Sequence, residues 1–168
     1  MLSRIHNIFT FMLPFSKRII KMIREATIND MDVIIDFQLR MAEETEGMKL
    51  NSEILKKGVT ALFQFPEKGY YYVAEVDGKV VGSTMTTYEW SDWRNATMVW
   101  LQSVYVLPEY RNQKLFSKMY AHIKAKVIAD ESFCGIRLYV DKTNLHAQKV
   151  YKAIGMNGEH YDTYEWIK

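Results

Sequence analysis

The sequence predicts an α/β protein, a mixed and mostly antiparallel sheet with helices on its faces, and three observations carry that prediction. Asp77-Gly78 stands between two runs of strand formers and supplies the positive φ angles of a tight hairpin. Leu115, Met119, Ile123 and Val127, doubled by Phe116 and Tyr120, recur at the helical period. Strand-like and helix-like segments alternate, yet the chain has no G-x-G-x-x-G dinucleotide fingerprint. With 168 residues, 48% of them hydrophobic, the chain holds enough apolar surface for one core and is short for two.

Taken in order, residues 22–26 read as a short strand. Residues 29–43, with Ile34, Phe37 and Met41 on one face, and 52–64, with Ile54, Leu55, Val59 and Leu62, read as two helices. Tyr70 to Val76 is rich in strand formers, and Lys79 to Tyr88 returns from the hairpin. Thr97 to Val106 is a β-branched and aromatic run, ended by Leu107-Pro108-Glu109 because proline cannot continue a central ladder. A helix starts near Gln113. Ile136 to Val140 is a short apolar strand, and Asn144 to Ile154 is a helix whose buried face would hold Ala147, Val150, Tyr151 and Ile154, stopped by Gly155. Residues 159–167 form a last, aromatic strand.

The domain is placed at 22–168, behind an extension, 1–21, that carries no acidic residue. A passenger from an upstream start, a loosely docked arm and a transit segment remain open readings of it. Its apolar run, Ile8 to Phe15, is short and broken by Pro14, so it cannot span a membrane, and no small-residue cleavage site follows it. Arg4, Lys17, Arg18 and Lys21 lie in this extension, which leaves 18 basic against 20 acidic residues in the body. Such a body lacks the basic footprint of a nucleic-acid binder. The single cysteine, Cys134, excludes an intrachain disulfide framework and points to a reducing, cytoplasmic setting. The histidines at 5, 122, 146 and 160 are too dispersed for zinc spacing, and no metal is expected.

The most informative segment runs from Val104 through Tyr105, Val106, Pro108, Arg111, Asn112, Gln113 and Lys114 to Leu115 and Phe116. A strand that turns straight into a helix aims free N–H groups and the positive helix end at one point, where a phosphate can dock. Downstream, Leu138-Tyr139-Val140 leads into Asn144, Ala147, Tyr151 and Gly155-Met156. Together with Ile23-Arg24-Glu25-Ala26, Tyr72-Val73-Ala74 and Val81-Gly82, these pieces make residues 22–168 resemble the GNAT superfamily of acyl-CoA-dependent N-acyltransferases. Glu44-Thr45-Glu46-Gly47, Glu89 to Asn95 and Gln102 to Val106 look like a bacterial branch of it.

The resemblance implies acetyl-CoA as cosubstrate. The family's phosphate turn falls on Arg111, Asn112, Gln113, Lys114, Leu115 and Phe116, whose backbone amides would hold the CoA pyrophosphate. Val104, Tyr105 and Val106 match the strand that pairs with pantetheine, Asn144 matches a polar contact to the cofactor arm, and Tyr151 matches the hydroxyl that protonates the departing thiolate. Lys114 and Phe116 depart from the pattern, standing where glycine and glycine or alanine are expected. A side chain in a turn that needs positive φ costs on the order of 1 kcal/mol.

An amine with a pKa of about 10 is mostly protonated at neutral pH and must lose a proton before attacking a thioester. The strand carboxylate that many relatives use for this falls near Trp100, which cannot serve; Glu89 is the favoured substitute, ahead of Asp92, Glu44 and Glu46. Trp90 and Trp93 interleave with Glu89 and Asp92, a composition suited to an ammonium, or else pack beneath their loop. The resulting expectation is an acetyl-CoA-dependent N-acetyltransferase acting on a small cationic amine by direct attack in a ternary complex, with Trp100, Trp90, Trp93, Asp92, Glu44 and Glu46 on the acceptor side. A silent CoA-binding module, a longer acyl donor and a protein amine are the alternatives. Tyr161, Tyr164 and Trp166 would suit a homodimer interface or a core equally well.

Overall fold

Five strands form one sheet in chain order: β1 (Ile20–Glu25), β2 (Tyr70–Val76), β3 (Lys79–Ser91), β4 (Ala96–Val106) and β5 (Phe133–Arg137). This computed structural model describes residues 20–168. The first four strands are mutually antiparallel, and β5 runs parallel to β4. A parallel neighbour requires a crossover, and α3 (Leu115–Ala129) makes it. The other helices are α1 (Met31–Glu46), α2 (Ser52–Gln64) and α4 (Leu145–Ala153).

Local chemistry sets the helix ends. Ahead of α1, the Asp30 carboxylate accepts the Thr27 N–H at 2.7 Å and is gripped by both Arg24 nitrogens at 2.7 and 2.8 Å, which fixes the entry angle of the helix. Gly47, at φ 62°, ends α1 in the left-handed conformation. Asn51 caps α2 by accepting from the N–H groups of Glu53 and Ile54.

Helices cover both sheet faces. Ile34 and Val59 pack with Tyr71 and Val73 on one side, and Tyr120 and Ile123 of α3 pack with Tyr72, Val99 and Leu101 on the other. Burying each of these aliphatic side chains contributes about 2 kcal/mol. Gly69 sits at φ 140°, where a Cβ would fall 1.8 Å from the Thr86 carbonyl oxygen, so no other residue fits against β3 there.

Three expectations change. β1 takes in Ile20 and Lys21, so the sheet starts before residue 22; the remainder of the expected extension, 1–19, lies outside the described residues. The strand expected at 136–140 lies at 133–137, because its pairing with β4 runs only from Thr97↔Phe133 to Trp100↔Arg137. Residues 159–167 form no strand: strand formers need a neighbouring ladder and a half-buried surface, and this segment has neither. Tyr161, Tyr164 and Trp166 are 83%, 93% and 86% exposed, so they are not core.

Candidate active site

The sheet opens along β4. Its pairing with β3 continues to Gly82↔Val106, whereas pairing with β5 stops at Trp100↔Arg137, so among the described residues no strand flanks the backbone of 101–106 on its β5 side. Ser103 lies at φ 52° and the β3 register shifts between Ser83 and Met85, a bulge that bends β4 at this point. The Leu107 N–H donates to the Val81 carbonyl at 2.9 Å, so antiparallel alternation turns the N–H and C=O of Val106 into the gap. Gly82 permits the close approach of β3, since a Cβ there would sit 2.9 Å from the Tyr105 carbonyl oxygen.

At the head of the gap the chain passes through a short turn at Pro108–Tyr110 and into α3. Asn112 and Lys114 both lie in the left-handed region, at φ 61° and 59°, and the Lys114 carbonyl accepts the Lys118 N–H at 3.1 Å to begin the helix. Left-handed residues alternating with ordinary ones gather successive N–H groups into a concave nest, here at the positive end of a fifteen-residue helix. Lys114 therefore adopts the conformation for which glycine is ordinarily used. The backbone takes the shape of an anion nest despite the substitution, and the lysine side chain is exposed.

Arg111 closes one wall. Its Nε donates to the Val106 carbonyl at 2.8 Å and its Nη2 to Glu44 at 2.5 Å, while the Tyr105 hydroxyl donates to the other Glu44 oxygen at 2.7 Å. The Arg111 guanidinium, helped by Tyr105, holds the Glu44 carboxyl below its ordinary range. Burial, and then the bond to Glu44, pushes the Tyr105 phenol up. Glu44 thus ties the end of α1 to the turn. Glu46 stands exposed at the last residue of α1.

Tyr151, on α4, meets Phe116 edge to face at 5.4 Å, which brings its ring to the first turn of α3. Burial pushes its phenol above the ordinary tyrosine value. The side-chain oxygen of Asn144 caps α4 by accepting the Ala147 N–H at 3.0 Å, leaving its amide N–H groups for other partners.

Below the gap, Glu89 and Trp100 come together: the indole N–H donates to one Glu89 oxygen at 2.5 Å. The other oxygen accepts from Arg137 at 2.7 Å. Arg137 did not figure among the sequence candidates, and the signal that could have found it was its place as a lone cation in an otherwise apolar strand. Trp90 and Trp93 are 62% and 90% exposed, so neither packs beneath the loop. Asp92 and Trp93 occupy the β3–β4 turn, which eight residues of strand put about 26 Å from Val104. The structure therefore groups Glu89, Trp100 and Arg137, and leaves Asp92 and Trp93 apart from them.

Among the described residues no cluster of three or more His, Cys, Asp or Glu side chains could hold a metal ion, and no helix is long and apolar enough to cross a membrane. An extended carrier with a pyrophosphate at one end and a thioester at the other finds its two needs here, a free strand edge leading to an anion nest, and these define the class: an acyltransferase. Residues 33–156 match the acetyltransferase (GNAT) family, and the chain belongs to it, as an acetyl-CoA-dependent acetyltransferase. It is 31% identical to a thialysine N-epsilon-acetyltransferase of Bos taurus over 80% of this chain and 82% of that one. A possible acetyltransferase from Clostridium difficile 630 superposes with a TM-score of 0.82 at 44% identity, covering 88% of this chain and 97% of that structure. The aminoglycoside N-acetyltransferase AAC(6')-Iy in complex with CoA shares the fold alone, with a TM-score of 0.69 at 15% identity over 88% of this chain and 94% of its own.

Proposed function

We propose that the protein transfers the acetyl group to a primary amine of a small cationic molecule by direct attack in a ternary complex. The observation that carries this reading is the unpaired β4 edge at Val104 and Val106, continuous with the nest at 111–116 and close to Tyr151 through Phe116. Acetyl-CoA supplies the activated thioester, from which the amine takes the acetyl group with release of the CoA thiol. The N–H groups of Asn112 to Phe116 hold the pyrophosphate. The Val106 N–H, turned into the gap, orients the carrier arm and polarises the carbonyl, while the Asn144 amide is placed for a further contact. The Tyr151 hydroxyl, protonated at neutral pH as any phenol is, delivers a proton to the departing sulfur.

Glu89 takes a different role from the one its sequence position suggests. It pairs with Met98, six residues from Val104 and about 20 Å along the strand, and both its oxygens are occupied. The amine proton accordingly leaves through water. The name of the relative at 31% identity, a thialysine N-epsilon-acetyltransferase, supports a small amine as acceptor. The test is a panel of small primary amines with acetyl-CoA and the Tyr151→Phe variant. The variant is expected to lose about 100-fold in kcat with little change in the KM for acetyl-CoA. Unchanged kcat would remove Tyr151 from the chemistry, and turnover of no amine in the panel would overturn the proposal.

A further inference from the structure

The Arg111 side chain stands in two places that acetyl transfer needs. The first is on β4. The Val106 carbonyl opens into the gap, and the Arg111 Nε donates to it at 2.8 Å. An extended arm paired to β4 would set its own amide N–H at that distance from the same oxygen, so the guanidinium stands where the arm has to run. The second place is at the end of α1. The Arg111 Nη2 donates to one oxygen of Glu44 at 2.5 Å, and the guanidinium carbon lies 5.5 Å from the centre of the Tyr105 ring. The Tyr105 hydroxyl steadies the other Glu44 oxygen at 2.7 Å.

A carboxylate beside an aromatic face is a receptor for a cation, and the protein's own guanidinium fills it here. Two further features favour positive charge at this spot. Glu44 lies in the last turn of α1, where the helix dipole is negative and no basic residue stands. Arg40, four residues back on the same helix, is engaged by Asp36 at 2.9 Å. The clasp is also open to water, with the Arg111 and Glu44 side chains 44% and 37% exposed. An ion pair so exposed is weakly held, so ligands that offer each partner a replacement can part it. The reach is short: one guanidinium separates the two bonds, which puts the Glu44 carboxylate no more than about 8 Å from the Val106 oxygen. An ammonium held by Glu44 therefore lies beside the edge assigned to the thioester.

Resting on the function proposed above, we infer that Glu44 is the carboxylate that receives the acceptor's ammonium, and that acetyl-CoA uncovers it by displacing Arg111 from Val106. The released guanidinium, on the first residue of the nest, is left beside the pyrophosphate, and Glu44 exchanges one cation for another. Cofactor and amine are thereby coupled, since each breaks a clasp that opposes the other. The experiment titrates acetyl-CoA by calorimetry into the full-length protein and into Glu44→Gln with no amine present. It then measures kcat and KM of both for the amine of the panel that the wild type uses best. Glu44→Gln keeps the side-chain shape and removes the charge that holds Arg111. It is expected to bind acetyl-CoA about threefold more tightly and to raise the KM for the amine at least tenfold, with kcat within threefold. A carboxylate that merely props the turn would instead weaken the cofactor. Unchanged or weaker acetyl-CoA binding in the variant, or an unchanged amine KM, overturns this inference and leaves acetylation of small amines standing. Tyr105→Phe, which removes only the hydroxyl that steadies Glu44, should move both constants the same way by a smaller factor, and it decides if Glu44→Gln does not fold. If no amine in the panel is acetylated, the proposed function falls, and the acetyl-CoA titration still decides whether Arg111 is displaced.

Discussion

Lys114→Gly tests whether the turn at the head of the site stores strain. Lys114 lies at φ 59° and ψ 25°, where an L-residue's Cβ crowds the following carbonyl at a cost of about 1–2 kcal/mol. Glycine relieves that crowding but gives the unfolded chain more freedom, which offsets about 0.5–1 kcal/mol. The net expectation is stabilisation by about 0.5–1 kcal/mol, or a rise in Tm of about 1–4 °C for a domain of this size. Lys118→Gly is the control: it removes the same exposed side chain four residues on, inside the right-handed helix, and should cost about 1 kcal/mol. Urea unfolding of the two variants reads the contrast directly. If Lys114→Gly lowers the midpoint as Lys118→Gly does, then the left-handed backbone carries no penalty, or the lysine side chain makes a stabilising contact that outweighs it, and the strain argument fails.

Other perturbations address the frame. Asp30, whose side chain is only 8% exposed, answers Arg24, so Asp30→Ala should cost about 3 kcal/mol by stripping the two shortest bonds from the guanidinium and leaving it Glu75 as its one carboxylate, measured by chemical denaturation. The Arg24 guanidinium holds the Asp30 carboxyl below its ordinary value near 3.8, so its stabilisation is complete above that pH and fades as pH falls through the lower, folded-state value. In Asp30→Asn the acid limb of stability against pH should therefore flatten, and an unchanged limb would contradict this account. Gly69→Ala forces a Cβ into the Thr86 carbonyl and should prevent soluble expression or lower Tm by more than 10 °C, about 3 kcal/mol or more. Gly82→Ala, which pushes on β4 at Tyr105 and Val106, should weaken acetyl-CoA binding more than it lowers Tm, as read by calorimetric titration beside thermal melts.

Much of the frame was legible before any coordinates. The Asp77-Gly78 hairpin, the periodic stripe of α3 and the proline that stops β4 are local signals, each acting within a few residues, and all appear where they were read. The aromatic stretch 159–167 has the composition of a strand and forms none, because strand propensity measures fitness for a pleated, half-buried surface and cannot say whether that surface exists. Glu89 and Trp100 both stand out in the sequence, but not their companionship with Arg137, which comes from a parallel register that pairs Trp100 with Arg137 across 36 intervening positions.

The sequence by itself determined the class of fold and the place of the strand-to-helix turn ahead of α3, because spacing, turn chemistry and helix-end signals are short-range and survive without tertiary context. Only the tertiary structure decided that β4 loses its neighbour after Trp100, that Arg111 closes on Glu44 and Val106, and that Asp92 and Trp93 stand far from the open edge. Those facts depend on strand register and on where a bulge bends a sheet, and a slip of one residue along β4 would turn its side chains to the opposite face.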